Sequence, residues 1–304
     1  MSDFIVDSTA AGVRLDAFLV ERLACSRARA RAVLEAGLVE VDARRVGGRD
    51  KGRRLEEGTR VRLTAEPSVL DVLRPAPDAP LTVLAEGDGW IVVDKPAGVA
   101  VHPLRADETA TLLQRVVARV PGIEGVGEGG LRSGVVHRLD VDTSGCQAFA
   151  THEEAFGPLR AAFREHTVDK VYRALVAGVP ESHAETSLDL SLAQHRPARV
   201  RADAAGDGPV GSRTCATRWR RLEVFETREG PVSLIEARPH SGFLHQIRVT
   251  MAFHGHPLLG DAVYGDGAGA DRHLLHASAL RWRAIDATAR DATDFAAALD
   301  RLRG

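Results

Sequence analysis

The sequence predicts an α+β protein made of a small N-terminal unit and one larger domain, and three observations carry that prediction. The chain has 304 residues and is 44% apolar, enough for a substantial core and, at this length, for a module joined to a bigger domain. Three prolines fall within Pro75-Ala76-Pro77-Asp78-Ala79-Pro80, where they deny helix and ladder hydrogen bonds and form a stiff connector. From Leu81 onward, short strands alternate with helical segments and glycine-containing turns. The expected divisions are therefore residues 1–74, a proline-rich linker at 75–80, and a larger domain at 81–304.

In the first unit Leu15, Phe18, Leu19 and Leu23 recur at helical spacing, and Ser26 stands where an N-cap would open a second helix through Val33 and Leu34. Gly37 ends that helix. Leu38 to Asp42 alternates like a short strand, as does Thr59 to Leu63 after the Glu56-Glu57-Gly58 turn. In the larger domain Trp90 to Asp94 reads as a buried strand, and Thr111 to Val120 as an amphipathic helix with Leu112, Leu113, Val116, Val117 and Val120 inward. A glycine-rich loop follows from Gly122 to Gly130. Val135-Val136 reads as an apolar strand running into an acidic, hydroxyl-rich turn, and residues 203–212 as a mobile hairpin loop. Gln246 to Phe253 has helical character, and Phe295 to Leu302 predicts a closing helix.

A net charge of −2 excludes a general polycation, so any nucleic-acid binding must come from local basic clusters. The start, Met-Ser-Asp-Phe-Ile-Val-Asp, has no basic segment followed by an apolar run, and no apolar stretch approaches a membrane span, so a cytoplasmic protein without a membrane partner is expected. Cys25, Cys146 and Cys215 are widely spaced and suggest neither a disulfide framework nor a cysteine zinc site. Of 40 basic residues only Lys51, Lys95 and Lys170 are lysines. A compact ammonium kept against such an arginine bias hints at a geometric reason. Over residues 1–75 the charge is +2, concentrated in Arg27, Arg29 and Arg31 and in Arg44, Arg45, Arg49, Lys51, Arg53 and Arg54. Taken alone, such a run is usually a solvated face.

The segment richest in chemistry is Val135-Val136-His137-Arg138-Leu139-Asp140-Val141-Asp142-Thr143-Ser144-Gly145. A carboxylate at a strand end is a common catalytic placement, but spacing alone favours an Asx-turn of Asp140 or Asp142 with Thr143 and Ser144. Arg248 could be an exposed helical arginine, and Tyr172 a core residue of its strand. His240, His245, His254 and His256 cluster in sequence without an H-E-x-x-H pattern or a cysteine partner, so no metal is expected.

His137-Arg138-Leu139-Asp140-x-x-Thr143-Ser144-Gly145 resembles the signature loop of RluA-type RNA pseudouridine synthases. Other segments resemble that family in the expected order: Val93 to Gly98 with Val101-His102-Pro103, Lys170 to Gly178, Ser241 to Arg248, Gly255 to Asp261, and Leu275-His276-Ala277. Gly12 to Asp16, Ser26-Arg27 and Glu35 to Val41 resemble the small RNA-binding domain named after a small-subunit ribosomal protein, here called S-four-like. The resemblance covers about residues 12–72 and 81–283.

The resemblance implies a mixed, mostly antiparallel sheet with a cleft on one face, preceded by the S-four-like module. It implies Asp140 as the essential carboxylate, acting as a nucleophile on the anomeric carbon or as a base yielding a glycal. An ionised carboxylate under RNA needs a nearby cation, which Arg248 would supply, while Tyr172 would stack on the target base. Arg138 would fill the space left by a flipped nucleotide. Lys95, His137, Lys170 and Gln246 are the other substrate-binding candidates, with Lys95 equally suited to a structural tie. In the N-terminal module Arg14, Arg27, Arg31, Arg44, Arg45 and Lys51 would meet phosphates.

The expected substrate is a uridine in structured RNA, foremost large-subunit ribosomal RNA with transfer RNA as the alternative. The expected protein is a monomer with no cofactor. Three departures from the family pattern stand out: Phe243-Leu244 for Arg-Thr, Cys146-Gln147 for an apolar pair, and Asp42-Ala43 for an asparagine-glycine turn. Two rivals are a non-catalytic RNA-binding or ribosome-assembly factor and a nucleoside or glycoside hydrolase using Asp142 as a second carboxylate.

Overall fold

The computed structural model describes residues 2–25, 27–65, 73–105, 108–193 and 199–304. Ser26, the expected N-cap, lies outside the described residues. The chain divides into two compact units, Met1–Leu73 with Leu104–Asp107, and Arg74–Pro103 with Glu108–Gly304.

In the first unit, helices α1 (Leu15–Arg22) and α2 (Arg27–Glu35) accompany a four-stranded antiparallel sheet. The strands β1 (Asp3–Ile5), β2 (Val39–Val41), β3 (Arg44–Val46) and β4 (Arg60–Leu63) run in the order β1-β4-β2-β3. The expected helical spacing is realised as a core of Leu15, Phe18, Leu19, Val33 and Leu34 against Val39, Val41, Val61 and Leu63. Gly37 closes the second helix with φ +67°, a conformation that costs a residue with a Cβ more than glycine. Asp42 and Ala43 form the two-residue turn between β2 and β3, with φ +50° and +63°. That backbone is the one an asparagine-glycine pair adopts most readily.

The second unit contains a ten-stranded sheet. Its strands are β5 (Thr82–Gly87), β6 (Trp90–Lys95), β7 (Ser144–Ala150), β8 (Asp169–Ala177), β9 (His183–Leu192), β10 (Val200–Ala204), β11 (Arg213–Phe225), β12 (Val232–Pro239), β13 (Leu275–Trp282) and β14 (Ile285–Thr288). The order is β10-β9-β11-β12-β8-β13-β7-β6-β5, with β14 on β13. Only the pair of β13 with β7 is parallel among the described strands, so the sheet is mixed and mostly antiparallel as expected. Helices α3 (Leu112–Arg119), α4 (Glu153–Arg164), α5 (Gln246–Phe253) and α6 (Thr293–Arg303) complete the unit. Among the described residues no helix is long and apolar enough to cross a membrane.

Strand alternation places helices on both faces of β8. Ala174 and Val176 pack with Ile247 and Met251 of α5, whereas Leu175 between them packs with Phe295, Ala298 and Leu299 of α6. Thr111 opens α3 with its backbone N–H and hydroxyl both bonded to the Gln114 amide oxygen.

Two expectations are corrected. Residues 135–140 do not form a strand; a single bridge joins Val135 to Phe149, and the segment otherwise runs as an extended loop. Side chains of α4 and β7, Arg160 and Gln147, take polar bonds of this segment in place of a ladder. Residues 205–212 do not make a hairpin, because β10 and β11 both pair with β9 and the segment crosses the end of that strand. The Asp189 carboxylate of β9 pins the crossing by accepting from the Gly206 and Gly208 amides and the Thr214 hydroxyl.

Candidate active site

The close approach of β13 to β7 sets the geometry from which the site is built. His276 and Ala277 stand opposite Ser144 and Gly145, and Gly145 has φ +106°. A Cβ on Gly145 would lie 2.2 Å from the Ala277 carbonyl oxygen, so only glycine admits this contact. Ala277 in turn registers with Tyr172 on β8. The loop ending at Ser144 is thereby brought beside the strand carrying Tyr172.

That loop is held residue by residue. Gln147, fully buried on β7, accepts from the Leu139 amide and donates to the His137 carbonyl. The His137 ring stacks on Phe163 at 4.2 Å, and its Nε2 accepts from the Ala148 amide. Burial pushes His137 down to about 3. Lys95 donates to Pro96, Val99 and Val141 carbonyls. Arg272 donates to the Asp142 carbonyl while paired with Asp294. His273 Nε2 bonds the Thr143 hydroxyl at 3.0 Å, and His276 Nδ1 the Ser144 hydroxyl at 2.9 Å. With its backbone so fixed, Asp140 is free to direct its carboxylate elsewhere.

The Asp140 carboxylate takes no Asx-turn bond; its Oδ2 accepts from Arg248 Nη1 at 3.2 Å. Arg248, 6% exposed at the side chain, also donates through Nε and Nη2 to Asp261 at 2.7 and 2.9 Å. Burial alone would raise Asp261, but the Arg248 hydrogen bonds and charge, with the Val263 and Tyr264 amides, hold it below the usual carboxylate range. One buried guanidinium thus joins a fully buried carboxylate to one facing a cleft. His245 Nε2 lies 3.8 Å from the same Asp140 Oδ2.

The cleft holds about 690 Å³, and Arg138, Asp140, Tyr172, Lys170, His245 and Arg213 are among its lining residues. Burial, with the Asp140 charge behind it, pushes the Tyr172 phenol above its ordinary range, so it stays protonated. Arg138 is exposed, and Lys170 is nearly buried with its Nζ on the Ser241 carbonyl. Phe243 and Leu244 line the same wall and pack toward Leu188, Leu190 and Val249, so the departure there serves an apolar cluster.

Two substrate-binding candidates take structural positions. Lys95 is completely buried and spends its donors on three backbone carbonyls, a tie to carbonyls rather than to a carboxylate or phosphate. Gln246 accepts from the Ser241 hydroxyl and Phe243 amide and donates to Ala216 and Thr217, bracing the turn into α5. His137 likewise braces the loop while one edge lines the cleft. In the N-terminal unit Arg14 pairs with Asp16, and Arg27, Arg31, Arg44, Arg45 and Lys51 are exposed.

The four clustered histidines part company. His240 faces His166, His254 packs on Trp219, and His256 bonds the Ala177 carbonyl, leaving His245 beside Asp140. Sequence reasoning did not assign roles to Asp261, Tyr264, Arg272 or His273. Asp261 closes the quoted run from Gly255, and a lone acid there was the available signal.

Residues 89–253 match the family model described as RNA pseudouridylate synthase. An uncharacterized RNA pseudouridine synthase of Mycobacterium bovis is 36% identical over 310 residues, covering 97% of this chain and 96% of the relative. A ribosomal large subunit pseudouridine synthase D of Zymomonas mobilis is 35% identical over 213 residues, covering 69% and 64%. The solved structure of human RNA pseudouridylate synthase domain containing 1 superposes with a TM-score of 0.60 at 25% identity, covering 74% of this chain and 90% of that one. The chain therefore belongs to the RNA pseudouridylate synthase family, whose fold and sequence it shares along the unit that holds the cleft.

Proposed function

We propose that this pseudouridine synthase isomerises uridine in large-subunit ribosomal RNA and that Asp140 is its reacting carboxylate. The observation that carries this is the Asp140 carboxylate facing the cleft with Arg248 on one oxygen, at the end of a loop braced from both sides. The ribosomal substrate is supported by the name of the Zymomonas mobilis relative. The isomerisation breaks the bond from C1′ to N1, joins C1′ to C5, and moves one proton off C5 while N1 gains one. Asp140 would act at the sugar, either by attacking C1′ or by taking the C2′ proton. Arg248 would hold its charge in place.

Tyr172, protonated and partly buried in the cleft wall, suits a stacking platform for the base rather than a proton acceptor. Arg138 is exposed between two residues that Gln147 anchors, which suits an arm entering the stack as the nucleotide flips. Lys170, pushed down to about 8 by burial, would contact the substrate from the cleft floor. Residues 1–74 would be an S-four-like module, linked through 75–80 to the catalytic domain at 81–304, with its exposed arginines and Lys51 on phosphates. A cytoplasmic monomer is the form in which it would work. Asp142, exposed and outside the cleft lining, does not offer the second carboxylate a hydrolase needs.

The test uses RNA from cells lacking the enzyme, labelled with tritium at C5 of uracil. Wild type is expected to release label without free uracil, and Asp140→Asn to release none. Binding of ribosomal RNA with no release by wild type would replace the proposal with a binding factor.

A further inference from the structure

His245 is placed beside Asp140 by a backbone conformation that side chains with a Cβ adopt at a cost. It sits at the entry to α5 with φ +55°, a region where histidine is found more often than most residues but still under strain. Its ring is 13% exposed and lines the cleft, with Nε2 toward Asp140 Oδ2 at 3.8 Å and Nδ1 at 2.9 Å from the Tyr264 hydroxyl.

The hydrogen bonds around Tyr264 favour one place for the ring proton. The Val200 amide donates to the Tyr264 oxygen at 2.7 Å. A phenol has one hydrogen to give, and among the described residues His245 Nδ1 is the acceptor in reach of it. Burial holds the Tyr264 phenol above and His245 below their ordinary ranges, so the phenol keeps its proton and the ring is neutral. With Nδ1 as the acceptor of the phenol hydrogen, Nε2 bears the ring hydrogen on the side of Asp140.

Tyr264 is itself indexed to the Arg248 clamp. Asp261 accepts from the Tyr264 amide as well as from Arg248, and the Arg248 guanidinium lies 5.3 Å from the Tyr264 ring centre. Both groups that face Asp140 are thus referenced to one buried carboxylate, and both meet Oδ2. Among the described residues no hydrogen bond falls on Oδ1.

We propose that His245 is a positioning residue for Asp140, held as the Nε2–H tautomer by Tyr264, so that it and Arg248 grip Oδ2 and leave Oδ1 to the substrate sugar. The present separation closes to a hydrogen bond when RNA covers the cleft, as catalytic contacts commonly tighten on binding. This inference rests on the role proposed for Asp140.

The experiment measures kcat and KM of label release for His245→Leu, His245→Gln, Tyr264→Phe and the His245→Gln/Tyr264→Phe double variant, with ¹⁵N spectra of the histidine rings. Losing a donor to a charged group is expected to lower kcat about 10- to 100-fold in His245→Leu, with KM moved by no more than about twofold. His245→Gln, whose amide can donate from a similar place, recovers most of that loss. Tyr264→Phe keeps the ring beneath Arg248 yet lowers kcat, and adds nothing in the His245→Gln background because it acts through His245. The spectra show protonated Nε2 at His245 in the wild type and a tautomer mixture in Tyr264→Phe. Unchanged kcat in His245→Leu, a glutamine variant as poor as leucine, additive losses in the double variant, or a protonated Nδ1 in the wild type each overturn the proposal. Absence of label release by wild type instead overturns the isomerase assignment, and the ring spectra still decide whether Tyr264 sets the tautomer.

Discussion

Arg248 is bound more tightly to Asp261 than to Asp140: two hydrogen bonds of 2.7 and 2.9 Å reach the first carboxylate and one of 3.2 Å the second. The side chain of Asp261 is fully buried, whereas that of Asp140 is 21% exposed. The same guanidinium therefore serves the fold on one side and the cleft on the other.

The two carboxylates should separate cleanly by mutation. Asp261→Asn leaves a buried guanidinium short of its principal counter-charge, which typically costs about 3–5 kcal/mol. Asp140→Asn removes a partly solvated partner and should cost no more than about 1 kcal/mol. Urea unfolding read by circular dichroism checks both, alongside label release, which Asp140→Asn should abolish. Equal unfolding midpoints for the two variants would show that Arg248 does not divide its work in this way.

Local pattern made most of the helices legible, α4 (Glu153–Arg164) being the exception. Gln246 to Phe253 is a helix over the range that its sequence suggested, and the spacing of Leu15, Phe18 and Leu19 became a buried face. The motif carrying Asp140 and the one carrying Arg248 were likewise visible, but nothing local told that they meet, because they lie 108 residues apart and are joined by sheet order. Asp261 and Tyr264 stayed unread for the same reason. Val135-Val136 misled because an apolar pair before a turn reads as a strand. The Val136 carbonyl accepts instead from Arg160 of α4, and the His137 and Leu139 backbone that follows bonds the Gln147 amide, contacts that no periodicity announces. Lys95 was legible as a lysine kept against the bias, and its reason is geometric: a compact ammonium fits among three carbonyls.

Buried histidines make the second unit sensitive to acid. His102 and His273 are each pushed from 6.5 to about 4, chiefly by burial, with neighbouring arginines adding to the shift. Both folded values lie below the unfolded one, so the unfolded chain binds more protons between them and stability falls as pH drops through 6.5 toward 4. Between pH 6.5 and 5 each histidine should remove about 1.5 kcal/mol. Thermal melts across that window check it, and His273→Gln, which retains a partner for Thr143, should flatten the slope by roughly one histidine's share. A slope unaltered by that substitution would mean His273 does not carry it.

The turn at Asp42-Ala43 offers a gain rather than a loss. Both residues lie in the left-handed region, where an L-residue with a Cβ is disfavoured by roughly 1–2 kcal/mol and glycine is not. Ala43→Gly relieves that strain but gives the unfolded chain more freedom, which returns part of the gain. A net stabilisation of about 0.5–1 kcal/mol is expected, and adding Asp42→Asn should increase it, since asparagine-glycine is the favoured pair for a two-residue hairpin. The carboxylate of Asp42 accepts from the Arg60 amide, and the asparagine oxygen can do the same, so the second change does not orphan a donor. Urea titration of the full chain, following a probe in the N-terminal unit, is the measurement. A midpoint lowered by Ala43→Gly would show that the turn relaxes from this backbone in solution and that the strain is not stored there.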